Sequence, residues 1–187
     1  QKIAQACRAC TRQSLRIFFL PGNRDFLMGR RFLDLAGITL LPDPCCITLN
    51  KQRILLTHGD ALCQHDRSHQ RFRRIMQAKL TRRLLLALPK KTRTRIGQAL
   101  RKNSKGNSIQ ALSQSLIDFD YCRTWLKNHQ ASTMIHGHTH HALHEHIASD
   151  ETPFDRHVLG AWETEQHRLS WCKDEGFHAH TAQLLSG

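Results

Sequence analysis

Three times along this chain a short apolar run ends in a polar, glycine-containing turn. Leu15 to Leu20 (LRIFFL) has the length and composition of a strand buried on both faces, and it stops at Pro21-Gly22-Asn23. Arg53 to Thr57 (RILLT) is the second such run, ending at His58-Gly59-Asp60. Ser132 to Ile135 is the third, ending at His136-Gly137-His138. Residues 1–14 read as a helix and Met28 to Ala36 as a shorter one. Ile38 to Leu41 and Cys46 to Leu49 read as short strands separated by Pro42 and Pro44. Strand-like pieces return around Val158 to Trp162 and Arg168 to Trp171. The pattern predicts an α/β fold. In such sheets the loops beyond the carboxyl ends of the strands are where ligands bind.

Between the second and third runs, residues 66–118 read as a helical insert. Phe72, Ile75, Met76 and Leu80 lie at helical spacing, Leu84 to Leu88 is continuously apolar, and Pro89 breaks the run. The insert also carries the charge. Fourteen of the 28 Lys and Arg fall between Arg67 and Lys105, where there is no Asp or Glu. The other fourteen face 15 acids, so the formal charge of +13 belongs to one segment. Such a segment is expected to meet an anionic surface or substrate. A nucleic-acid module would interleave stacking aromatics with its bases, and this stretch holds only Phe72.

With 187 residues, 40% of them apolar, the chain reads as a single domain, 1–187, with the insert inside it. It has no run of about 18 apolar residues, and its start, QKIAQACRAC, has neither a secretory h-region nor a cleavage site. A cytoplasmic protein without a membrane span is expected. The seven cysteines are odd in number and scattered, which predicts reduced thiols. The one CxxC, Cys7 and Cys10, falls in a predicted helix with no second pair to complete a zinc site.

Three strings carry the candidate chemistry: Gly22-Asn23-Arg24-Asp25, His58-Gly59-Asp60 and His136-Gly137-His138-Thr139-His140. Each alone is weak, but all three stand at predicted strand ends. Imidazole nitrogen with amide or carboxylate oxygen suits Mn, Fe or Zn, and a glycine between two histidines lets the backbone come close to a metal site. Asp25 is expected to stabilise its turn, and Asp60 to hydrogen-bond its loop or a histidine. His140, His141, His144 and His146 are expected to be supporting or surface residues, with His140 the first to test.

GNRD, HGD and GHTH in this order resemble the later motifs of the calcineurin-like metallophosphoesterases. More narrowly, FLPGNRDFLMGRRF, LLPDP, ILLTHGDALCQHD, RKNSK, IHGHTHHALHEH and HVLGAWETE resemble the UDP-2,3-diacylglucosamine diphosphatase family of the lipid A pathway, from about Arg16 to Trp171. The resemblance implies a β-sandwich flanked by helices, with the insert as a helical cap. It implies two Mn ions, one held by Asn23, His58 and His136 and the other by His138. Arg24 would face the phosphate undergoing substitution, and Asp66 and Ser104 would contact the nucleotide or glucosamine head group. Asn107 matches a substrate-contacting asparagine when a gap is placed just after Ser104, and the family's later substrate-binding lysine has no placed counterpart.

The implied reaction is hydrolysis of a nucleotide lipid by metal-activated water, giving 2,3-diacylglucosamine 1-phosphate and UMP. Asn23, Arg24 and His136 would also contact the substrate. Arg24 would stabilise charge on the phosphate, and a second His136 nitrogen would orient an outer oxygen if that nitrogen is free. The cap would shelter acyl chains while its bases hold the protein on the cytoplasmic face of an anionic inner membrane, without an obligate protein partner. The Asp-x-His and Gly-Asp strands that open a full family member are not among these residues, so an N-terminally shortened chain is expected. Other readings are a catalytically inactive fragment, a metallophosphoesterase of another substrate, and a basic nucleic-acid-binding module.

Overall fold

The computed structural model describes residues 2–23, 25, 28–64, 70–71, 74–75, 78–105, 117–149, 152–162 and 165–183. They divide into two compact units, each assembled from two stretches of chain: 1–43 with 67–109, and 44–66 with 110–187.

The first unit opens with helix α1 (Lys2–Arg12), which contains Cys7 and Cys10. Strand β1 (Ile17–Phe19), helix α2 (Arg30–Ala36) and strand β2 (Ile38–Leu40) follow. The two strands pair in parallel, Phe18 opposite Thr39, as a two-stranded sheet. β1 is not the doubly buried strand its composition predicts, since Phe18 is half exposed. A two-stranded sheet has too few neighbours to cover both faces of a strand. The insert forms helices α3 (Lys79–Ala87) and α4 (Lys90–Lys105), separated at Leu88 and Pro89 as expected. Leu80 and Leu84 lie one turn apart on α3, and both are exposed.

The second unit is built on a five-stranded mixed sheet in the order β3 (Cys45–Leu49), β4 (Gln52–Thr57), β5 (Thr133–His136), β7 (Phe154–Val158), β6 (Leu143–Ile147). β4, β5 and β7 are parallel to one another, and the two edge strands run antiparallel to their neighbours. One face is covered by helix α5 (Phe119–His129). That helix starts cleanly because the Asp118 carboxylate accepts the Tyr121 N–H at 2.9 Å, and it ends at Gln130 in the left-handed region. Leu55, Met134 and Phe154 from the sheet meet Cys122 and Leu126 from the helix, with Leu62 and Cys63 closing the core. Strands β8 (Glu165–Cys172) and β9 (Gly176–Gln183) form a separate hairpin.

No helix among the described residues is long and apolar enough to cross a membrane. All seven cysteines are free thiols, in line with the scattered spacing.

Candidate functional site

Two of the three chemistry-bearing strings converge in the second unit, and strand topology is the reason. β4 and β5 are adjacent and parallel, with Thr57 opposite His136, so His58 and His136 leave the sheet at the same edge. The loops that follow are tied together: Gly137 N–H donates to the His58 carbonyl at 3.0 Å, and Thr139 N–H to the Gly137 carbonyl at 2.9 Å. On the far side, Leu159 N–H donates to the His136 carbonyl at 2.8 Å. His136 is thereby held from both neighbouring strands.

The backbone here is unusual. Gly59 has φ +105°, and His138 and His140 have φ 69° and 64°, a region that side chains other than glycine rarely occupy. Two non-glycine residues in one short loop point to a shape imposed by function. The His58 and His138 rings meet edge to face with centroids 5.3 Å apart, and both are partly accessible. Asp60 is fully buried at the start of a one-turn 3-10 helix (Asp60–Leu62) beside them.

His136 is 1% exposed and electrically neutral at ordinary pH. Burial pushes its pKa down to about 4; the contact with Gly137 works the other way, and the neighbouring Arg156 and His58 reinforce the drop. Its Nδ1 lies 2.9 Å from the Gly137 carbonyl oxygen, and its Nε2 lies 3.5 Å from Nη1 of Arg156. Both ring nitrogens therefore have neighbours, and the expectation of a second nitrogen free for an outer phosphate oxygen is not met in this arrangement. Thr139 is also buried, and its Oγ1 has no hydrogen-bond partner among the described residues.

Asn23 follows β1 in the other unit, in a turn closed by Asp25. The Asp25 carboxylate accepts the Gly22 N–H at 2.9 Å, and Asp25 N–H donates to the Gly22 carbonyl at 3.1 Å. This is the turn-stabilising role expected of Asp25. Arg24, Asp66 and Asn107 lie outside the described residues, as does the side chain of Ser104, whose backbone belongs to the last turn of α4.

The remaining histidines are supporting or surface groups where the structure assigns them contacts. His146 Nδ1 approaches Asp155 Oδ1 at 3.1 Å, and His144 stacks on His157 with centroids 4.2 Å apart. Sequence reasoning missed Arg156, which is 3% exposed yet charged. The signal was present: in Phe154-Asp155-Arg156-His157-Val158 the arginine shares its strand face with Phe154 and Val158.

The donors fit a metal in kind, since neutral imidazole is a good ligand and His58 and His138 already meet. Among the described residues no group of three or more His, Cys, Asp or Glu is arranged to hold an ion.

No protein-family model matches the chain. Individual proteins do match. The UDP-2,3-diacylglucosamine hydrolase of Escherichia coli O81 (strain ED1a) is 41% identical over 177 residues, which is 94% of this chain and 73% of that protein. The hydrolase of the same name from Escherichia coli O9:H4 (strain HS) matches equally, 41% over 177 residues. Identity at that level across nearly the whole chain, together with histidine loops brought to one sheet edge, places this protein in the UDP-2,3-diacylglucosamine hydrolase family.

Proposed function

We propose that the chain hydrolyses the pyrophosphate bond of UDP-2,3-diacylglucosamine, releasing UMP and 2,3-diacylglucosamine 1-phosphate for lipid A biosynthesis. The observation that carries this reading is the placement of His58, His136 and His138 on tied loops beyond two parallel strands, in a chain 41% identical to hydrolases of that name.

Manganese, when bound, supplies positive charge against the anhydride and lowers the pKa of a water molecule. The chain's own residues define where that chemistry is done. His58 and His138 offer imidazoles at a partly accessible sheet edge, and an amide oxygen is assigned to Asn23, which lies in its Asp25-closed turn. Arg24, next to Asn23, is assigned to the phosphate, where a guanidinium can donate two parallel hydrogen bonds to an oxygen pair. Asp66, Ser104 and Asn107 are assigned to the head group, where hydroxyl, amide and carboxylate groups match sugar and uracil donors and acceptors.

The insert supports a lipid substrate on an anionic membrane surface. Leu80 and Leu84 expose an apolar pair on α3, while exposed Arg83, Lys91 and Arg95 give the surrounding helices a basic surface. Each such base is worth about 1 kcal/mol near an anionic bilayer.

The test is turnover of UDP-2,3-diacylglucosamine with added Mn, read as UMP. His58→Ala is expected to reduce it by at least ~10²-fold, the scale of losing a group that acts on transition-state charge. Turnover unaffected by the substitution or by chelation would remove the proposal.

A further inference from the structure

One buried ring, His157, touches both edge strand β6 and the β8–β9 hairpin. His144 and His146 on β6 stand opposite His157 and Asp155 on β7, so these four side chains share one face of the sheet. Val158, the register partner of His136, alternates with His157 and points to the other face, so the cluster lies on the side of the sheet away from the His136 ring. Asp155 Oδ1 is 3.1 Å from His146 Nδ1 and 3.8 Å from His144 Nε2. The His144 ring lies flat on His157, with centroids 4.2 Å apart and planes 1° from parallel. His157 also meets the Phe177 ring of β9, at 4.8 Å between centroids.

His157 is 7% exposed, whereas the side chains of His144, His146 and Asp155 are 59%, 60% and 42% exposed. A neutral imidazole packs there as a flat aromatic ring. An imidazolium in the same place loses hydration that ring neighbours cannot replace. Burial accordingly holds the His157 pKa below its ordinary 6.5, a charge on His144 lowers it further, and the Asp155 carboxylate, the weakest of the three, raises it. Its register partner on β5 is Ile135 and its contact on β9 is Phe177, neither of which carries charge. His178 and His180 alternate with Phe177 onto the other face of the hairpin. Among the described side chains on the Phe177 face, the titratable one is His167, whose Nδ1 lies 3.1 Å from Thr181 Oγ1.

We propose that His157, held between His144 and Phe177, is a proton-operated clasp: neutral, it docks β6 and the β8–β9 hairpin on this face of the sheet, and protonated, it lets the hairpin part from it. The direction follows from the depressed pKa of the docked ring. The contact is at full strength above the ordinary 6.5 and is lost as pH falls through the lower docked value, because the released ring binds the proton more readily. The core between the sheet and α5 lies on the other face and is expected to stay closed.

The experiment is an NMR titration of the full chain from about pH 8 to about pH 5, the range in which imidazoles change charge. It follows the histidine ring signals, the through-space contact between the His157 and Phe177 rings, and amide exchange corrected for its intrinsic pH dependence. The ring contact is expected to disappear as His157 titrates. Hairpin amides should then open by up to ~10-fold per pH unit, the most that one linked proton can give, while α5 amides do not follow. His157→Phe keeps a flat ring without a proton to gain and is expected to hold the hairpin closed across the range.

A His157 ring that titrates while the hairpin stays protected would overturn the proposal. So would a hairpin that opens equally in folded His157→Phe. Should that variant not fold, His144→Ala removes the covering ring and its charge, and must move both the His157 titration and the hairpin opening to higher pH; an opening that stays in place would also overturn it.

Discussion

A Cβ placed on Gly59 would lie 2.9 Å from Nδ1 of His136 and 3.1 Å from the Gly137 carbonyl oxygen. The glycine is the space that lets the β4 and β5 loops close on each other, and its φ of +105° is strained for any other residue. Gly59→Ala is expected to cost about 1–3 kcal/mol of stability and to displace the His136 ring. Urea unfolding and UMP release should fall together; a variant with unchanged midpoint and rate would show the loops have slack.

His136 makes stability depend on pH in a definite direction. In the folded chain its pKa is about 4, below its ordinary 6.5, so between those values the unfolded chain binds the proton more readily. Its contribution is fully present above pH 6.5 and is lost as pH falls to about 4, a change of ~3 kcal/mol. Unfolding of chelator-treated protein at a series of pH values should show that slope, and His136→Gln should flatten it. An equal slope in both proteins would assign it to other groups.

The Asp25 carboxylate holds Gly22 N–H across the residues between them, Asn23 and Arg24. Asp25→Ala should lose this turn-closing bond, costing about 1 kcal/mol of stability. On the proposal that Asn23 lends its amide oxygen to Mn, it should weaken Mn binding much more than it lowers the melting temperature, since Asn23 lies within that turn. Asp25→Asn keeps an acceptor oxygen and should recover most of the affinity, measured by titration calorimetry.

Burial pushes the Cys122 thiol up to about 12, with Arg156 offsetting part of the rise, so little thiolate exists at neutral pH. Cys10 and Cys172 are exposed. Brief alkylation of native protein, mapped by mass spectrometry, should modify Cys10 and Cys172 and spare Cys122 until urea is added.

Much of this was legible in the chain. The apolar runs before HGD and HGH became adjacent parallel strands because continuous apolar composition marks strands covered on both faces. Asp25 was readable as a turn residue because short carboxylates close local turns. The first apolar run was not readable in the same way, since LRIFFL does not say how many strands will flank it, and Phe18 ended half exposed. Strand β6 was hidden because Leu143-His144-Glu145-His146-Ile147 offers weak alternation, and its role depends on pairing with β7. Arg156 escaped for a related reason: its neighbours come from β5, β6 and α5, and pairwise proximity across strands is a property of register.

The most direct test of the central claim is hydrolysis of UDP-2,3-diacylglucosamine in 18O-labelled water with Mn, followed by mass spectrometry of both products. Attack of water at the phosphorus next to uridine would place the label in UMP and leave 2,3-diacylglucosamine 1-phosphate unlabelled. Label in the lipid phosphate, or folded metal-loaded protein that forms neither product, would contradict the account.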